Sequence, residues 1–147
     1  MAGSGATTIV NAAKAVLMAA CPSVAEFHIA PPPVIEDPVC IFLYHDGLTD
    51  VAKTLGGTIA RTHHLPLWLL VNASNMQETD AIEAVFLALN DQIVGAFYAH
   101  MTLGNTVSSV ALTDQRAPAY IEYMGAIYRH RMWVIDAEEI VQQSLSG

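Results

Sequence analysis

The chain carries six histidines, the side chain that titrates closest to neutral pH and the commonest protein ligand for metals. Two of them, His63 and His64, are adjacent. Adjacent residues on a strand point to opposite faces, so this pair cannot grip one ion. No HxH, helical HxxxH or HExxH occurs. A three-way site from His45, His63 and His130 is geometrically available, because all three fall at or near strand ends; surface or interface histidines are the plainer reading. There is no GxSxG elbow, no P-loop and no GxGxxG. The glycine-rich run at 54–58 precedes a strand pattern, so it lacks the helix N-terminus that cradles phosphate. Cys21 follows an apolar helix face with no base nearby in sequence, a poor setting for a thiol nucleophile. Glu78, Asp80 and Glu83 open a helix, where carboxylates complement the dipole. The expectation is therefore no catalytic residue, no metal and no cofactor.

The elements that hold these residues read as one α+β unit. Thr7 or Thr8 can cap a helix over 9–20, with Ile9, Ala13, Val16, Leu17 and Ala20 as its apolar stripe. Cys21-Pro22 ends it, and Pro31, Pro32 and Pro33 make a stiff extended linker. VCIFLY, 39–44, is apolar on both faces and reads as a central strand. Residues 45–57 form a long connection, expected to be mobile in the free subunit. A strand follows over 58–72, in which Pro66 marks a bulge or the point where one neighbour stops. Asn75 with Glu78 has capping-box spacing. The helix it opens runs to about Phe97, on a stripe of Ile82, Val85, Phe86, Leu89, Ile93 and Phe97. A short strand over 106–113, a long one over 119–135 and a short helix at Glu138-Glu139 complete the order. The predicted fold is a mixed, mostly antiparallel sheet with two main helices on one face, long strands and a long hairpin loop. It is a single domain over 1–147, with flexible ends at 1–6 and 138–147.

The stretch AYIEYMGAIYRHRMWVI, 119–135, reads as one strand of seventeen residues. At about 3.3 Å per residue it would span roughly 55 Å. That is too long to lie wholly inside one small domain, so part of it must bend, project or pair with another chain. One face runs from apolar to cationic, at Arg129 and Arg131, and back to apolar at Trp133. Either a bulge near Gly125 reverses the faces, or the second half meets a different surface. The expected subunit or partner contact set is Arg61, His63, His64, Tyr128, Arg129, His130, Arg131 and Trp133.

Composition narrows the function classes. Hydrophobic residues are 53% and charged ones 14% of the chain. That is apolar for a small soluble monomer and suggests surface covered by a partner. The net charge is −8 with six Lys and Arg in total, so a phosphate-gripping stripe is absent. No apolar run approaches the ~20 residues of a membrane span, and the N-terminal residues lack the pattern of a secretory signal. Cys21 and Cys40 read as buried small hydrophobes, and whether they pair is left open.

The whole order resembles the tail terminator, or tail completion, proteins of long-tailed bacteriophages. RTHHLPLWLLVNAS (61–74), ETDAIEAVFLALNDQI (78–93) and GAIYRHRMWVIDAEE (125–139) carry the resemblance, which extends over nearly the whole chain from about Ile9. The prolines at 31–33 and the many histidines depart from it. The resemblance implies a structural virion protein: a homo-hexameric ring that caps the tail tube, stops its polymerisation and joins the tail to the head or neck. Its partners would be itself, the tail tube protein and a head–neck connector protein. DNA would only pass through the lumen, and no membrane is involved. It would be assembled in the host cytoplasm and reside in the virion tail or neck. A head-completion or neck connector ring is the neighbouring alternative. A small α+β enzyme using strand-end histidines is the alternative of a different class.

Overall fold

The computed structural model describes residues 5–52, 57–74 and 79–142. The chain runs α1 (Ala6–Ala20), β1 (Glu26–His28), β2 (Val39–Leu43), β3 (Leu48–Ala52), β4 (Thr58–Asn72), α2 (Thr79–Ala99), β5 (Ser109–Tyr123) and β6 (Ala126–Gln142). The strands form one sheet in the order β1-β2-β4-β6-β5, with β3 also on β4. Among the described residues only β1–β2 is parallel; the other pairings are antiparallel. This is the mixed, mostly antiparallel α+β sheet with two helices on one face that the pattern predicts.

The apolar run in β4 is continuous because both of its faces are covered. Leu65, Leu67 and Leu69 join Ile41, Leu43, Trp133 and Ile135 beneath the helices, which contribute Ile9, Ala13, Leu17, Phe86, Leu89 and Ile93. Trp68 and Leu70 face the other way. There they meet Cys40, Phe42, Tyr128 and Tyr123 in a smaller aromatic cluster against which Ile35 packs. The proline-rich linker lies against this second cluster, since the Tyr123 hydroxyl donates to the Pro32 carbonyl at 2.7 Å.

Pro66 sits where one neighbour stops. β2 ends opposite Leu67, and β3 begins opposite His63. The Pro66 carbonyl accepts from Tyr44 N–H at 3.3 Å, and the return bond of that pair, which proline cannot donate, is given up just where the β2 ladder ends.

Several expectations are corrected. The stretch 119–135 is not one strand: Met124 and Gly125, both at positive φ (50° and 84°), turn it into a two-residue hairpin between Tyr123 and Ala126. Met-Gly lacks the Asn or Asp that usually announces such a primed turn. β6 continues to Gln142 as strand, replacing the short helix at Glu138-Glu139. β5 replaces the short strand over 106–113 and continues through Pro118. As the edge strand it absorbs that residue in two register shifts. β3 occupies the middle of the connection 45–57, and three-residue β1 was not foreseen. α1 begins at Ala6 with Gly5 as N-cap and no side-chain cap, so neither Thr7 nor Thr8 serves. Val85 is exposed instead of core. The proposed cap at Asn75 and Glu78, the glycine-rich positions 54–56, and positions 1–4 and 143–147 lie outside the described residues.

By length and composition alone α2 could cross a membrane, with a mean hydropathy of 1.2 over its window; here it lies on the sheet through Phe86, Leu89, Ile93 and Phe97.

Candidate functional site

The antiparallel register of β4 and β6 dictates where the polar residues meet. Odd positions of β4 share the helix-bearing face with Arg129, Arg131, Trp133, Ala137 and Glu139 of β6; even positions share the opposite face with His130, Asp136 and Glu138. His63 and His64 therefore enter different networks, as their adjacency requires.

His63 is buried at the end of the helix-side core. The Gly47 N–H donates to His45 Nδ1 at 3.2 Å. That leaves His45 Nε2–H to donate to His63 Nδ1 at 2.9 Å, and His63 Nε2–H to donate to buried Glu139 at 2.8 Å. Burial, then the neighbouring His63 and His64, hold the His45 pKa below its usual value. His45 also lines a depression of about 190 Å³ with Ala6, Thr7, Val10 and Ile29. Yet both of its ring nitrogens are engaged within the protein, so neither is presented to a substrate. Of the three-way histidine site, the fold brings His45 and His63 together and leaves His130 on the opposite face of the sheet.

His64 bridges three strands. Its Nδ1 lies 2.7 Å from Asp136 Oδ1 and its Nε2 2.9 Å from the Thr49 hydroxyl; Asp136 Oδ2 accepts from Thr113 at 3.4 Å. The hydroxyl–imidazole–carboxylate order is that of a hydrolase triad. Thr49, however, lies within a regular strand whose N–H groups lie in the sheet plane. They do not point to the face bearing the hydroxyl, so β3 itself supplies no oxyanion donor beside it. This is a cross-strand polar ladder above an open depression lined by Asp46, Pro66 and Val134.

The expected contact set divides. His63, Tyr128, His130 and Trp133 are buried within the subunit, Trp133 in the helix-side core and Tyr128 in the aromatic cluster on the other face, and they are withdrawn from any partner surface. Arg129 is held beneath α2: Glu83 accepts from Nε at 3.0 Å and from Nη2 at 3.2 Å. Its guanidinium lies between the Phe86 and Tyr120 rings. Arg131 donates to Asn90 at 2.5 Å and stacks on Trp133. Both arginines thus join α2 to the sheet. Arg61 is engaged by Asp50 in a two-pronged pair across β3–β4, and with His64 it is the accessible part of the set.

One cluster was missed in the sequence. Glu26, His28 and Cys40 come together at the β1–β2 edge, with one ligand atom from each lying within 4.8 Å of the others. Burial pushes Glu26 up, but the bonds from His28 and from the Asp37 and Glu36 N–H groups outweigh it and leave its carboxyl below the usual range. Burial, then Glu26, push the Cys40 thiol up to about 12. Cys21 and Cys40 are both free. The signal available in the sequence was Glu26-x-His28, two residues on one strand face.

The chain matches no protein-family model and no curated protein.

Proposed function

We propose that this chain is the structural ring subunit that its sequence resembles: a tail terminator that caps the tail tube of a long-tailed bacteriophage and joins it to the head. The observation that supports this most is the three-stranded arm. The helix-packed core ends at Leu65 on β4 and Ala137 on β6, yet both strands continue, with β3 alongside. On this arm Val51, Ala60 and Ile140 lie side by side across three strands. Val51 is 55% and Ile140 47% exposed, on either side of Ala60, which is buried between them. The outer edge of β3 pairs with no strand among the described residues. An apolar row beside an open edge is a surface that natural sheets normally cover. A second copy of the chain fits it, repeated head to tail until a hexameric ring closes.

In this reading the tail tube protein and a head–neck connector contact the two ring faces. DNA passes through an acidic lumen without sticking, and the protein is assembled in the host cytoplasm into the virion. A neck connector ring would use the same arm. The enzyme reading is less supported, because His45 and His64 spend their nitrogens on protein partners.

Native mass measurement and electron microscopy, on the protein alone and mixed with tail tubes, test the proposal. Rings of several copies seated on tube ends are expected. A chain that stays monomeric and leaves tube ends bare overturns it.

A further inference from the structure

We propose that Glu26, His28 and Cys40 form a zinc-binding site at the parallel edge of the sheet, a site independent of the ring reading. β1 and β2 pair in parallel with Glu26 opposite Cys40. His28, two residues on, shares the face of Glu26. The cluster therefore follows from strand register and needs no unusual rotamer of a distant loop.

The donor set is sulfur, imidazole nitrogen and carboxylate oxygen. Zinc accepts all three, and hard cations such as magnesium do not accept the first two. The carboxylate is already oriented. Glu26 Oε1 accepts the backbone N–H groups of Glu36 and Asp37, each at 2.9 Å, as the outer hydrogen bonds of metal sites do. Its other oxygen, Oε2, lies 2.7 Å from His28 Nε2. A zinc ion would take the place of the hydrogen between these two atoms, leaving a neutral imidazole protonated at His28 Nδ1, and would release the proton of the Cys40 thiol to solvent. Cys40 is fully buried and Glu26 nearly so, while the His28 side chain is 37% exposed. The site therefore opens to solvent on the imidazole side. That opening provides an entry path and room for a water as fourth ligand.

The site also has a structural consequence. Through the two N–H groups on Glu26, a bound ion would tie the linker that lies against the aromatic cluster to the β1–β2 edge. Zinc would then raise the thermal stability of the whole fold by mass action.

Cobalt and zinc titrations of the full, reduced chain test this. Cobalt is expected to bind one ion per chain with a thiolate-to-metal charge-transfer band. His28→Ala, at a half-exposed position that leaves the core intact, is expected to weaken binding by about tenfold or more. Cys40→Ser is expected to abolish the band, and Cys21→Ser to leave it unchanged. Zinc should raise Tm for the native chain and for Cys21→Ser, and by less for His28→Ala at the same zinc concentration. The proposal is overturned if no charge-transfer band forms, if the band is lost in Cys21→Ser, or if His28→Ala binds both ions as tightly as the native chain. Should Cys40→Ser fail to fold, the His28→Ala and Cys21→Ser arms still decide.

Discussion

His130 is the residue with the least apparent support. It is fully buried, packs on Trp68, and neither ring nitrogen has a hydrogen-bond partner. Burial, with Arg116 nearby, lowers its pKa from 6.5 to about 4. The fold thus favours the neutral ring. Its contribution is complete above pH 6.5 and is lost as pH falls toward 4, by about 2 kcal/mol at pH 5. The lowered pKa of His45 acts in the same direction. His130→Phe removes two unpartnered buried nitrogens and keeps the ring contact. It is expected to stabilise the protein at pH 7 by about 1–3 kcal/mol and to flatten the loss between pH 7 and pH 5. Urea unfolding at the two pH values measures both effects; an unchanged pH dependence would show that His130 is not the sensor. None of this is readable from sequence, because a histidine on a strand looks the same whether its face is open or covered.

The elements were legible where one physical signal dominated and illegible where two competed. β4 was read at its observed bounds, since its apolar run and the turn residues around it agree. The helix stripes were read largely correctly from the 3.6-residue period. The β5–β6 hairpin was lost because aromatic and β-branched residues run through the turn without a break, and Met124 occupies a conformation usually given to Asn or Gly. That mismatch makes the turn testable. Met124 is exposed, so Met124→Asn loses no packing and should raise stability by up to about 1 kcal/mol. A side chain at Gly125 would meet nothing within 4 Å, so Gly125→Val should cost about 1–2 kcal/mol through backbone strain alone. Urea midpoints at constant slope would show both shifts; equal midpoints would mean that the turn is not held in this form. The candidate sites were hidden for a different reason. Glu26 meets Cys40, and His63 meets Glu139, through strand register that no local spacing encodes.

At the scale of the whole molecule the apolar excess noted in the sequence is accounted for in two places. Part of it covers the sheet on both faces, and part remains outside, on the arm at Val51 and Ile140, along α2 at Val85, Leu87 and Tyr98, and at scattered positions such as Val34 and Ile127. Since Val51 and Ile140 of the arm row are exposed in the subunit, charged substitutions at these two positions should leave folding within about 0.5 kcal/mol. If copies meet through it, Val51→Asp with Ile140→Asp should abolish rings while the monomer keeps its Tm. Size-exclusion and thermal unfolding of the double variant read the two effects separately. Normal rings would move the interface elsewhere. Arg129 and Arg131, by contrast, secure α2 to the sheet, so reversing their charge would damage the fold before it reached any contact between copies.

The fifteen-pair ladder between β4 and β6 also sets the order in which the chain can fold. Its partners are separated in sequence by α2 and all of β5, so closing it carries a loop-closure entropy that no local contact repays. The β5–β6 hairpin needs only its two-residue turn and can precede it. Refolding should therefore pass through a transition state in which this hairpin is formed and the β4 ladder is still zipping. The turn at Met124-Gly125 would then govern the rate of folding, and the far ends of β4 and β6 the rate of unfolding.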